Sequence, residues 1–159
     1  MDFFIKNNNE VLQLVNEWEP KLLSLPTDVI TQKRNSQGRT IKQILGHLVD
    51  PASNNNHRIV HLQYRENPLE FPNYATNGNN DRWIAIQNYQ DENWEDLVLL
   101  WKYYNRHIVQ VINHINPNKL DNEWISAPNK TISLKEMVIS YLNHLKLHLN
   151  EIDDIISQA

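Results

Sequence analysis

The chain has 159 residues, the size of one ordinary domain, and 40% of them are apolar, enough to bury a core without covalent staples. It has no cysteine, which excludes a disulfide scaffold, a thiolate metal site and a cysteine nucleophile. The net charge of -4, with Lys and Arg scattered, provides no cationic cluster for phosphates, so nucleic-acid binding is not expected.

Three Gly against five Trp and six Tyr favour long helices over a many-turned β fold. The opening MDFFIKNNNEVLQLV lacks a basic segment followed by a long apolar run, so no signal peptide is expected. No stretch approaches the ~20 apolar residues of a membrane span, and the default expectation is a cytoplasmic protein. A single domain over residues 1–159 is expected.

Four segments carry helical periodicity. The first runs from Asn8 to Leu23, with Val11, Leu12, Val15, Trp18 and Leu22 spaced by three or four; Pro20 is expected to bend it or end it early. The second starts after Thr40, an N-cap with Gln43 as its capping-box partner, and runs to about Arg65. Its stripe is Ile41, Ile44, Leu45, Leu48, Ala52, Ile59 and Leu62. Pro51 cannot donate to the carbonyl of His47, which predicts a kink or short break one turn after that histidine. The bend belongs either to a core helix or to a space opened beside a functional site.

Residues 66–91, ENPLEFPNYATNGNNDRWIAIQNYQD, form a long connection with turns at Pro68, Pro72 and Asn77–Asn79 and a short helix over Asp81–Asn88. A surface crossover between two helices that run the same way accounts for its length, as does a binding loop. The third helix spans Glu92–Ile115, and Pro117 ends it. The fourth begins at Ser133, with Glu136 as capping-box partner, and continues to about Ile156. Four such helices would be ~22–38 Å long and pack as an all-α four-helix bundle, with the long crossover between the second and third.

Seven histidines carry the chemistry. His144 and His148, four apart, place both imidazoles on one face of the fourth helix, bordering its apolar stripe. Two nitrogens so placed can converge on one ion; two partly buried histidines bonded to carbonyls or carboxylates are the plainer alternative. His47, flanking the apolar face of the second helix, is the best third ligand. His57 and His61 share that helix, but His61 lies ~21 Å further along it and cannot complete the same site. His107 and His114, at no paired spacing, read as ordinary interfacial residues.

Three stretches together resemble a known family. GRTIKQILGHLVDPASNNNHRIVHLQ is similar to the second-helix motif of the DinB-like superfamily, the YfiT-like metal-dependent hydrolases. YLNHLKLHLNEI resembles the family's last-helix H-x-x-x-H motif, and NYQDENWEDLVLLWKYYN its third-helix region. The resemblance implies a four-helix bundle with a nonadjacent crossover, a divalent metal such as zinc or nickel on His47, His144 and His148, and a homodimer. It also implies a small-molecule substrate in a hydrolase or thiol S-transferase reaction. Pro51 departs from the small residue expected at its position.

Three neutral imidazoles leave an ion its double charge and an open position, where a water can ionise or a low-molecular-weight thiol can be held as its thiolate. Glu151 lies on the ligand stripe as a fourth ligand, a partner of a ligand, a base, or a surface carboxylate. Asp50, one turn from His47, is placed to orient it, or is solvated at the bend. Asn54 and Arg58 either line the cavity and hold an anionic substrate group or bridge the bundle. Trp101, Tyr104 and Asn105 close the pocket from the third helix or belong to the core. The competing function is a metal-stabilised bundle serving as a binding or interaction module, which a fourth protein ligand would favour. Glu-x-x-His pairs of a di-iron site and the H-E-x-x-H of zinc proteases are absent.

Overall fold

In the computed structural model, residues 2–158 are described; the ends of the expected domain, Met1 and Ala159, lie outside them. The main helices among the described residues are α1 (Asp2–Leu23), α3 (Ile41–Tyr64), α5 (Trp94–Asn113) and α6 (Leu134–Ser157), with the shorter α2 (Thr27–Thr31) and α4 (Asn79–Gln87) in the connections. Strands β1 (Glu123–Ala127) and β2 (Lys130–Ser133) form an antiparallel hairpin before α6.

The caps hold the long helices where local chemistry requires. Thr40 accepts from the Gln43 amide while the Gln43 side chain accepts from the Thr40 amide, and Ser133 and Glu136 repeat the arrangement at α6. Asn93 caps α5 through the Asp96 amide. Helix α1 begins six residues earlier than its apolar stripe suggested and runs through Pro20. Helix α3 also runs unbroken through Pro51, so the expected break does not occur. Packing of Ala52, Ile59 and Leu62 on one side of that proline keeps the second half of the helix in register with the core.

The bundle closes as a ring in which α1 packs on α5, α5 on α3, α3 on α6, and α6 on α1. Ion pairs and hydrogen bonds give the directions. Lys102 with Glu19 and Asn8 with Asn113 set α1 antiparallel to α5; Lys146 with Glu10 and Lys21 with Asp153 set α1 parallel to α6. Lys42 with Gln90 at one end and Gln63 with Asn116 at the other make α3 and α5 parallel. The crossover from residue 65 to 93 exists because two parallel neighbours need a connection as long as the bundle. Val15, Leu22, Ile41, Leu45, Leu97, Trp101, Ile108, Leu134 and Ile152 fill the centre, each fully buried. Burial of such a side chain stabilises by ~1.5–3 kcal/mol.

The sequence reading missed the hairpin. Its burial alternates along Glu123–Ala127, and Asn129 takes the left-handed conformation at φ 58° in the Pro128–Asn129 turn. Leu69 of the crossover pairs alongside it: the Leu69 amide donates to the Glu123 carbonyl at 2.7 Å, and the Ile125 amide donates to the Leu69 carbonyl at 3.0 Å. The Trp124 indole donates to the Phe71 carbonyl and the Asn73 amide to the Ser126 carbonyl. Crossover and hairpin are thereby joined into one cover over the C-terminal half of α3 and the start of α6.

Candidate metal centre

Helices α3 and α6 run antiparallel, which brings His47 against His144 and His148. One nitrogen of each of the three lies within 4.8 Å of the others. The His47 ring centroid is 4.6 Å from that of His148 and 5.5 Å from that of His144. The two Nε2 atoms of His144 and His148 are 3.1 Å apart. Tetrahedral ligands at 2.0–2.1 Å from one ion have nitrogens ~3.3 Å apart, so this pair already has nearly the right separation.

Glu151, one turn beyond His148, accepts at 3.0 Å from its Nδ1, and the Asn35 amide reaches the same oxygen at 3.5 Å. With Nδ1 taken by the carboxylate, His148 turns Nε2 toward the other two rings. Glu151 therefore sits on the far side of His148 from the cluster and is not one of its members. Burial lowers the His47 imidazole to about 3, helped by the neighbouring rings of His148 and His144. Burial, then His148, lowers His144 to about 4. Both rings are neutral at pH 7, with lone pairs available. His47 Nδ1 is buried and has no protein partner.

Asp50 is buried one turn after His47 but bonds elsewhere. Its Oδ1 accepts from the Tyr89 hydroxyl at 2.6 Å and from the Gln87 amide at 2.8 Å, and Oδ2 is buried without a partner. Burial raises its carboxyl to about 6 against the pull of those two hydrogen bonds. The orienting bond to His47 expected from sequence is replaced by this link to the end of α4 and the residues that follow it. Tyr89 fits because Gly46 leaves room: a Cβ there would fall inside the Tyr89 ring. The glycine one residue before His47 was the available signal, and sequence reasoning passed over it.

Asn54 donates to the Asp50 carbonyl at 2.9 Å, within its own helix. Trp101 is wholly buried in the core and its indole N–H has no partner. Asn105 donates to the Trp101 carbonyl and accepts from the Tyr141 hydroxyl at 2.7 Å. A cavity of about 300 Å³ adjoins His144. His144, Pro51, Asn55, Arg58, Tyr74, Trp124 and Tyr141 are among its walls, so Arg58 and the Asn105-anchored Tyr141 reach the space beside His144 while Asn54 and Trp101 stay behind it. His57 and His61 stack near Phe71, away from the cluster, and His107 on α5 and His114 just past its end are exposed.

No protein-family model matches the sequence, and no curated protein matches it. Solved structures do. YfiT from Bacillus subtilis, described as a probable metal-dependent hydrolase with an unusual four-helix bundle topology, superposes with a TM-score of 0.80 at 14% identity, over 99% of this chain and 86% of that one. A mutant of the mycothiol-dependent maleylpyruvate isomerase superposes with a TM-score of 0.75 at 11% identity, over 94% of this chain and 60% of that one. The fold is the four-helix bundle topology of YfiT, as the sequence led us to expect. No helix among the described residues is long and apolar enough to cross a membrane.

Proposed function

We propose that this chain is a divalent-metal-dependent enzyme acting on a small molecule, by a hydrolase or thiol S-transferase reaction, with zinc or nickel held by His47, His144 and His148. The observation that carries this reading is the placement of Glu151: it occupies the outer nitrogen of His148 and leaves the three-histidine set without a fourth ligand among the described residues. A closed structural site would have used that carboxylate on the inner side. When bound, the ion supplies Lewis-acid chemistry that makes a water or thiol nucleophilic near neutral pH.

The chain's own residues divide the remaining work. Glu151 is a positioning residue that fixes the tautomer and direction of His148. Asn105 holds the Tyr141 hydroxyl at the cavity wall. The Trp101 carbonyl in turn accepts from the Asn105 amide, and Asn54 braces the α3 backbone beside Asp50. The absence of cysteine means that a thiol, if used, enters as a low-molecular-weight cosubstrate. The mycothiol dependence of one structural neighbour supports that option, and the hydrolase description of the other supports water. Exposed Leu99, Leu100 and Tyr103 on α5 give a homodimer an apolar face.

Elemental analysis of purified protein beside the His144→Ala variant tests the site. About one divalent ion per chain in the first and none in the second is expected; equal content in both removes the proposal. Metal-dependent consumption of a model electrophile with several thiols, and of an activated ester without them, then separates transferase from hydrolase. Failure of both reactions in loaded protein leaves only the non-catalytic, metal-stabilised bundle.

A further inference from the structure

Arg58 is 4% exposed, yet no carboxylate forms an ion pair with it among the described residues. Its Nη1 donates weakly to Asn55 Oδ1 at 3.4 Å, while Nε and Nη2 are both buried with no hydrogen-bond partner. These two nitrogens form one edge of the guanidinium, the edge that matches the two oxygens of a carboxylate. The flat face of the group lies 3.8 Å from the Trp124 ring, with Tyr74 at 5.5 Å and Phe71 at 5.9 Å. Those aromatics come from the hairpin and the crossover, so two long-range elements converge to hold one cation that no carboxylate among the described residues neutralises.

A buried charge without a counter-ion is destabilising, and protein interiors avoid it unless a ligand supplies the opposite charge. Aromatic faces offset part of that cost by cation–π attraction, but they leave the in-plane N–H groups unmet. The cavity that His144 borders is also walled by Arg58, Asn55 and Tyr74. Arg58 follows His47 by eleven residues on the same helix, ~16 Å along its axis. Its Nη1 reaches back to Asn55, one turn nearer the histidines.

Resting on the reading of the three histidines as the reacting centre, we infer that Arg58 is the anchor for a substrate carboxylate. The substrate class is a small organic acid whose carboxylate lies several bonds from the atom that reacts. The Nε–Nη2 edge takes the two carboxylate oxygens, Trp124 and Tyr74 hold the guanidinium plane, and the other end of the molecule extends along the cavity toward His144. Neutral substrates of the same shape leave the edge unpaired and are rejected.

The test uses the full chain stripped of metal, so that a carboxylate cannot bind an ion instead, with butyrate and butyramide as probes. In wild-type protein the Trp124 indole N–H resonance shifts saturably with butyrate and stays in place with butyramide. In Arg58→Met the affinity for butyrate falls at least ~10-fold, the factor carried by one charge-assisted hydrogen bond. Arg58→Lys, which keeps the charge but not the fork, lies between the two. Equal responses to butyrate and butyramide in wild-type protein overturn the inference with no variant needed. So does equal butyrate affinity in wild type and Arg58→Met, which would mean the arginine only ties the hairpin to α3. Tighter binding of inorganic phosphate than of butyrate would overturn the carboxylate assignment. Loss of metal uptake with Arg58-dependent butyrate binding intact would strike the metal reading and not this one.

Discussion

Replacing Asp50 with Asn isolates the energetic consequence of a carboxyl group buried inside helix α3. Asp50 is 1% exposed, and only one of its two oxygens has partners, Tyr89 and Gln87. Burial moves its carboxyl from the ordinary 3.8 to about 6. The folded chain therefore holds this proton more tightly than the unfolded chain does. The stability gained from the protonated acid is fully present below pH 3.8 and is lost as pH rises through 6. At ~1.4 kcal/mol for each pH unit separating the two pKa values, the loss amounts to ~3 kcal/mol by pH 7.

Asn at this position keeps a carbonyl acceptor for Tyr89 and does not titrate. The unfolding free energy of Asp50→Asn relative to wild type should accordingly rise by ~2 kcal/mol between pH 4 and pH 7, the remainder of the change lying below pH 4. Urea denaturation of metal-free protein, followed by circular dichroism at half-unit pH steps, measures it. The three site histidines are present in both proteins, so their own titration cancels from the difference. A difference that does not change with pH would refute the argument. A change of opposite sign would mean that the hydrogen bonds from Tyr89 and Gln87 outweigh burial and hold the carboxyl below its ordinary value.

Two further outcomes follow from the same region. Glu151→Gln removes the charge that accepts from His148 Nδ1 and should weaken Zn²⁺ binding by ~10–100-fold, read by competition with a chromophoric chelator; unchanged affinity would remove its orienting role. Gly46→Ala drives a methyl group into the Tyr89 ring and should destabilise by ~1–3 kcal/mol in urea, with the Tyr89–Asp50 hydrogen bond lost as well. A loss below ~0.5 kcal/mol, the range of inconsequential substitutions, would show that the ring moves aside freely.

Much of the bundle was legible because its determinants are local. Thr40 with Gln43 and Ser133 with Glu136 start their helices through bonds spanning three residues, and apolar spacing of three and four marks the buried faces. Of the kink or break expected at Pro51, no break occurs, because both halves of α3 are fastened to one core. The hairpin escaped notice because its strands are only five and four residues long and its third edge partner, Leu69, is more than fifty residues away.

The same division runs through the site. Spacing alone put His144 and His148 on one helical face, and the apolar stripe of the second helix singled out His47, since a helix turns by a fixed angle per residue whatever surrounds it. Only the folded chain decides which carboxylate serves which group: Glu151 goes to His148, while Asp50 goes to Tyr89 and Gln87 rather than to His47. Only the folded chain, likewise, surrounds Arg58 with rings from the crossover and the hairpin and leaves its charge unmatched among the described residues. Helix positions and histidine spacing depend on neighbours within a turn or two, whereas desolvation and pairing of charge depend on residues that chain order keeps far apart.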